Sequence, residues 1–231
     1  MKSVLALPAP DRREDRPPEF ATAEDVTFTE GLVEAFLLEY TRPGDVVFDP
    51  FAGFGTTLVV AERLDRRPLG LEILPDRVEF IRSRLSDPTA IIEGDARQLG
   101  PLSLPLINFS ISSPPYMTKD DHEQNPLSGY RTLDGRYSSY LRDLQSIYAQ
   151  VADLVSAADG DGEVDPRGRV SIVVNVANLR AQRTNLAWDV GTALAHVLTF
   201  EHEVIIDWDR PPGWLTHDYC LAFSARPVSA P

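Results

Sequence analysis

Two short runs place reactive or ligand-binding groups at spacings that a plain loop does not need. The first is Asp49-Pro50-Phe51-Ala52-Gly53-Phe54-Gly55-Thr56-Thr57. Gly53 and Gly55 let a backbone turn tightly and approach a ligand with no Cβ in the way, and a helix opening at Thr56 would offer its free amides to that ligand. A dinucleotide fingerprint fails on spacing, because its third glycine would fall at Leu58. A phosphate-cradling P-loop fails as well, because no Gly-Lys-Ser/Thr follows. What remains is a glycine turn without a pyrophosphate clamp. The second run is Ser113-Pro114-Pro115-Tyr116. It offers a hydroxyl oxygen, a proline carbonyl with no competing N–H on the same residue, and an aromatic ring for stacking on a flat substrate. Acids recur between the two runs, at Glu72 in Gly70-Leu71-Glu72 and at Asp95 in Glu93-Gly94-Asp95-Ala96.

The elements that must carry these groups follow from apolar spacing. Leu32, Val33, Phe36, Leu37 and Tyr40 recur at helical intervals and stop before Arg42-Pro43-Gly44. Short apolar runs at 45–49, 68–72, 90–95 and 106–111 alternate with helices at 56–64 and 75–85, the second having a proline in its first turn. Beyond a polar loop at 114–136 come a helix over 138–158, a strand over 169–175 and a helix over 184–198. Two strands, 202–208 and 217–224, close the chain as a hairpin-like pair. Alternating strand and helix predicts a doubly wound, mostly parallel α/β sheet with an antiparallel element at its end. Ligands bind such sheets at the carboxyl ends of the strands, which is where both runs and both acids fall. Residues 1–23, proline-rich and charged, read as a mobile or extended lead-in to a single domain over 24–231.

The two runs together resemble the amino-methyltransferases of the N4-cytosine/N6-adenine DNA class. DPFAGFGTT resembles the family's cofactor element, Ser113–Tyr116 its catalytic signature, and His217-Asp218-Tyr219-Cys220-Leu221-Ala222-Phe223 its final strand. Cofactor run precedes catalytic run, the non-permuted order. The resemblance spans roughly residues 26–224 and implies a Rossmann-like class I methyltransferase fold, a seven-stranded sheet with an antiparallel last strand. It implies S-adenosyl-L-methionine as cofactor, held by Asp49, Pro50, Phe51, Gly53, Gly55, Thr56 and Thr57. Glu72 would take the ribose hydroxyls, Asp95 and Ala96 the adenine, and Phe28, in Thr27-Phe28-Thr29-Glu30, would pack near the methionine. Ser113, Pro114, Pro115 and Tyr116 become the catalytic residues. Acceptors engaging both N–H bonds of an exocyclic aromatic amine favour a tetrahedral nitrogen and offset its developing charge, and positioning matters more than a strong base. The serine form of the signature tilts the expectation to cytosine N4 over adenine N6.

Composition limits the partners. The chain has 231 residues with 22 basic and 35 acidic side chains, a net charge of −13. A duplex-binding enzyme ordinarily shows a basic footprint, and the loop at 114–136 mixes Lys119, Arg131 and Arg136 with Asp120, Asp121, Glu123 and Asp134. DNA, ahead of RNA, therefore calls for a local footprint or a partner subunit, and a duplex target would have to be flipped out. A small-molecule or nucleoside N-methyltransferase and a non-catalytic subunit of this fold stand as alternatives. The one cysteine, Cys220, reads as a core thiol rather than a nucleophile. His122, His196, His202 and His217 lack ligand spacing, and Asp159-Gly160-Asp161-Gly162-Glu163 lacks the closing glutamate of a calcium loop, so no metal is expected. Trp208 and Trp214 read as packing around a proline turn. With no secretory signal and no membrane-length apolar run, the expected location is cytoplasmic.

Overall fold

In the computed structural model, residues 1–9, 29–117, 136–156, 170–179, 184–211 and 215–225 are described. The elements are β1 (Val4–Leu7), α1 (Glu30–Tyr40), β2 (Val46–Asp49), α2 (Thr56–Arg63), β3 (Arg67–Glu72), α3 (Pro75–Arg84), β4 (Ile91–Glu93), β5 (Phe109–Ser112), α4 (Tyr137–Ser156), β6 (Ile172–Leu179), α5 (Leu186–Leu194), β7 (Thr199–Trp208) and β8 (Leu215–Ser224). They build one sheet in the order β1-β7-β8-β6-β5-β2-β3-β4. β2 pairs in parallel with both β3 and β5, so the chain reverses its direction of travel across the sheet beside β2. That crevice is where an open α/β sheet binds ligands. β8 runs antiparallel to both β6 and β7, as a short return from β7 requires.

Among the described residues the sheet has eight strands, one more than the seven expected. The addition is β1, within the segment read from sequence as a mobile or extended lead-in. Its four residues pair in parallel with β7 from Val4↔Ile205 to Leu7↔Trp208. A four-residue edge strand alternating exposed and half-buried positions carries too weak an apolar signal to be read from its own sequence. Every residue of β2 and of β5 is buried, which demands cover on both sheet faces and explains their unalternating apolar runs. Helices α1 and α2 pack on each other, as do α4 and α5. Phe36, Phe48, Phe109, Tyr140, Tyr148 and Phe223 are the largest fully buried side chains of the core.

The α1–α2 pair is anchored by Arg66, which is 8% exposed. It donates to Thr41 Oγ1 (2.9 Å), the Thr41 carbonyl (2.9 Å) and the Leu64 carbonyl (2.6 Å). These acceptors sit just past the carboxyl ends of α1 and α2, where helix dipoles favour a cation. Arg66→Met should therefore destabilise the fold by about 2–4 kcal/mol, because several buried carbonyls lose a charged donor. Urea unfolding would measure it. A parent-like midpoint would show that water replaces the guanidinium at no cost. No helix among the described residues is long and apolar enough to cross a membrane.

Candidate active site

Asp49, Glu72, Glu93 and Ser112 end β2, β3, β4 and β5, and the parallel register aligns them along one rim. Asp49 is 1% exposed and accepts from the Phe51 amide (3.0 Å), Thr57 Oγ1 (2.6 Å) and Ser112 Oγ (2.5 Å). One carboxylate thus ties the start of the glycine turn, the first helical turn of α2 and the end of β5 together. Burial pushes its carboxyl up to about 6, with the Glu72 charge adding to the rise, while the hydrogen bonds from Ser112, Thr57 and Phe51 oppose it. Asp49 and Thr57 are therefore inward-facing supports of the turn.

The turn is stitched to β3. The Ala52 amide donates to the Leu71 carbonyl (2.9 Å), and the Gly53 amide donates to Glu72 Oε2 (2.9 Å). Glu72 Oε1 accepts from the Leu74 amide (2.9 Å), and burial raises the Glu72 pKa against those amides and Arg77. Gly53 and Gly55 have φ of 57° and 81°, the left-handed region that glycine occupies without strain. A Cβ on Gly53 would meet nothing closer than the Phe51 carbonyl at 3.8 Å, so that side of Gly53 is open, whereas one on Gly55 would press on Ile81 at 2.9 Å. Phe51 is half-buried against Tyr148. Pro50 is buried and Thr56, opening α2, is half-buried.

Sequence reasoning missed Gly70, although it lies in the quoted Gly-Leu-Glu. A Cβ there would meet both Leu58 methyl carbons at 2.8 Å and Ala52 Cβ at 3.2 Å. The glycine lets α2 lie close on β3 and so sets the depth of the glycine turn. Gly70→Ala should cost about 1–3 kcal/mol, the usual range for overpacking. A melting temperature equal to the parent's would show that Leu58 moves aside freely.

Asp95 caps a short turn, and its carboxylate is gripped by Arg97 through Nε (2.9 and 3.0 Å), Nη2 (2.5 Å) and the main-chain amide (2.9 Å). That grip holds the Asp95 pKa below the ordinary range. An adenine amine reaching Asp95 would have to share or displace Arg97, a partner the expectation did not include. Ala96 is buried beside it. Ile73 and Leu74, directly after Glu72, are 55% and 47% exposed. Two apolar residues open to solvent at a strand end were a legible signal of a ligand rim. Phe28 lies outside the described residues, as do residues 118–135 of the polar loop, the run at 159–163, and Trp214.

Ser113–Tyr116 follows β5 immediately. Ser113 and Pro115 are half-buried, and Pro114 is buried. Tyr116, expected from sequence to stack on a flat substrate, is 5% exposed. Its hydroxyl lies 2.9 Å from Ser113 Oγ and accepts from the Ala177 amide (3.1 Å). Burial drives its pKa well above that of a free phenol. Apolar packing of a phenol whose tip finds two polar partners outweighs exposure at the rim. Behind it stand residues that the motif search overlooked. Asn175 on β6 is 1% exposed, with Nδ2 at 3.5 Å from Ser113 Oγ and Oδ1 accepting from Cys220 Sγ (3.4 Å). Asp218 on β8 is 4% exposed beside Asn175 and Trp208, and burial pushes its carboxyl up to about 7. A polar residue inside an apolar strand, Val173-Val174-Asn175-Val176, was the sequence trace of Asn175, whereas Asp218 lay within the final-strand run already quoted.

A glycine turn locked to a strand-end acid is joined through Asp49 to Ser112, the residue before the Ser-Pro-Pro-Tyr run, on a sheet of the class I methyltransferase fold. Solved structures agree on the fold. TrmN from Thermus thermophilus superposes with a TM-score of 0.58 at 16% identity, over 87% of this chain and 50% of that one. A TehB-like SAM-dependent methyltransferase from Corynebacterium glutamicum gives 0.55 at 14%, over 84% and 88%. The EcoKI type I restriction enzyme M protein gives 0.55 at 16%, over 87% and 44%. Residues 13–83 match the DNA methylase family model. Type II methyltransferase M.Cfr9I of Citrobacter freundii is 42% identical over 66 residues, 29% of this chain and 22% of that protein. M2.DpnII of Streptococcus pneumoniae is 45% identical over 56 residues, 24% and 21% respectively. Over this stretch the chain is similar to N4-cytosine/N6-adenine DNA methyltransferases, and the match spans about a fifth of these curated relatives.

Proposed function

We propose that this chain transfers a methyl group from S-adenosylmethionine to an exocyclic amino group of a nucleobase, cytosine N4 ahead of adenine N6, in DNA. The observation that carries the reading is the 2.5 Å bond from Ser112 to Asp49, which couples the residue before the Ser-Pro-Pro-Tyr run to the base of the glycine turn. The two half-sites are thereby held side by side, as a transfer between two bound molecules demands.

The residues fit the cofactor. Glu72 is an acceptor-only group with spare lone pairs after binding two amides, which suits a ribose diol. The open side of Gly53 leaves room for the main chain of the methionine part. Phe51 and Gly53 would flank that part, with Ile73 against the adenine and Asp95 and Ala96 at its edge. Phe28 keeps its place near the methionine as part of the proposal. Bound S-adenosylmethionine would supply an electrophilic methyl group on a sulfonium sulfur, with the N–C bond to the amine formed as the C–S bond breaks and the neutral thioether leaves. Pro114 presents its carbonyl to one amine N–H, Ser113 borders the same edge of the ring, and Tyr116 fixes Ser113. The proton lost from the methylated amine passes to water, since the ammonium is a strong acid.

The charge of −13 favours one alternative, a nucleoside or RNA substrate that needs no duplex clamp. A DNA substrate requires a local footprint or a partner subunit. Methyl transfer from labelled S-adenosylmethionine to duplex DNA, single-stranded DNA, RNA and nucleosides, followed by digestion and mass analysis, decides between them. We expect N4-methylcytosine from DNA. Label confined to RNA or nucleosides would move the substrate, and cofactor binding without transfer to any of them would favour a non-catalytic subunit.

A further inference from the structure

The buried groups behind Ser113 determine which of its hydrogen-bonding functions faces a substrate. A serine hydroxyl carries one hydrogen and two lone pairs. Tyr116 Oη already accepts the Ala177 N–H at 3.1 Å, so its own hydrogen needs an acceptor, and a buried hydroxyl rarely goes without one. Among the described residues the acceptor within reach is Ser113 Oγ at 2.9 Å. The Tyr116 hydroxyl therefore donates to Ser113. Asn175 is oriented by Cys220, whose thiol donates to Oδ1, and this turns Nδ2 towards Ser113 Oγ at 3.5 Å. Asp218, facing the same amide from β8, favours that orientation because a carboxyl oxygen accepts from the N–H end whether or not the group is ionised. Both lone pairs of Ser113 Oγ are then met from inside the protein, and tetrahedral geometry directs the remaining O–H away from Tyr116 and Asn175. Ser113 is half-buried, so that hydrogen has an open side to face.

We propose that Ser113 acts on the substrate as a hydrogen-bond donor to the unprotonated ring nitrogen beside the reactive amine, while the Pro114 carbonyl accepts from the amine itself. The substrate class is then an amine on a carbon flanked by a pyridine-like nitrogen, which cytosine offers at N3 and adenine at N1. A simple aromatic amine lacks that acceptor and leaves the Ser113 hydrogen unpaired. Tyr116 and Asn175 are positioning residues in this scheme. The inference rests on the amino-methyltransferase reading and refines it, since Ser113 was expected from sequence to accept.

The test uses the full chain with S-adenosylmethionine and oligonucleotides carrying one cytosine or one 3-deazacytosine, with adenine and 1-deazaadenine as the second pair. Ser113→Ala should lower kcat/KM on the parent base by roughly 10- to 100-fold and on its deaza analogue by less than about 2-fold, because only the parent loses a hydrogen bond. Comparing variant to wild type on each substrate cancels the different intrinsic reactivity of the two amines. Equal losses on parent and analogue would overturn the donor assignment and restore Ser113 as an acceptor from the amine. Tyr116→Phe gives an independent reading: it frees a lone pair on Ser113, so the preference for parent over deaza base should narrow. An unchanged preference would overturn the role of Tyr116. If the wild type methylates none of the parent bases, the amino-methyltransferase reading is what fails.

Discussion

Asp49→Ala is expected to abolish S-adenosylmethionine binding and to destabilise the fold by about 3–5 kcal/mol, the scale for removing one partner of a buried charged network. Three donors converge on this carboxylate from three elements: the Phe51 amide in the turn, Thr57 in α2 and Ser112 at the end of β5. Alanine leaves all three unsatisfied where water has little access, since the site is 1% exposed. The turn then loses the anchor that holds Gly53 and Gly55 in their left-handed conformations. Affinity is read by calorimetry and stability by urea unfolding. Asp49→Asn, which keeps the shape and one acceptor oxygen, should fold more nearly like the parent while still binding more weakly. Retained affinity in the folded Asn and Ala variants would overturn the placement of the cofactor at this turn.

Replacing Asp218 should act in the opposite direction on stability, and in a pH-dependent way. Burial holds its carboxyl at about 7, above the 3.8 of a free aspartate. The folded state therefore binds this proton more tightly than the unfolded state. Its stabilising contribution is complete below about pH 4 and is lost as pH rises through about 7. The groups around it (Tyr116, Asn175, Trp208 and Cys220) are neutral across this range, the phenol and thiol because burial raises both. Asp218→Asn removes the ionisation. Its stability relative to the parent should improve by about 2 kcal/mol between pH 5.5 and pH 8.5, and by about 4 kcal/mol over the whole range, since a tenfold difference in proton affinity between the folded and unfolded states is worth about 1.4 kcal/mol. Urea unfolding of both proteins at the two pH values measures the difference, and a difference that does not change with pH would show that Asp218 titrates normally.

The local chemistry was legible because it is written in consecutive residues. A strand ending in Asp49, a turn that only glycines can make at Gly53 and Gly55, and a helix at Thr56 are consequences of short-range sterics. So are the apolar runs of β2 and β5, which announce a sheet covered on both faces. The class of fold and the identity of the cofactor follow from those stretches and from the resemblance they carry. What tertiary structure decided depends on pairing between residues far apart in the chain. Asn175 and Asp218 lie 62 and 105 positions beyond Ser113, and they meet behind it through the β5–β6 and β6–β8 pairings. Arg66 is an ordinary charged residue until two helix ends converge on it, and Gly70 is an ordinary strand glycine until Leu58 packs over it. Tyr116 was read from sequence as a stacking ring, and the fold buries it with its hydroxyl beside Ser113 and the Ala177 amide. Short-range conformational preference determines the turn and the motif, whereas register and packing determine which side of each polar atom is left for a substrate.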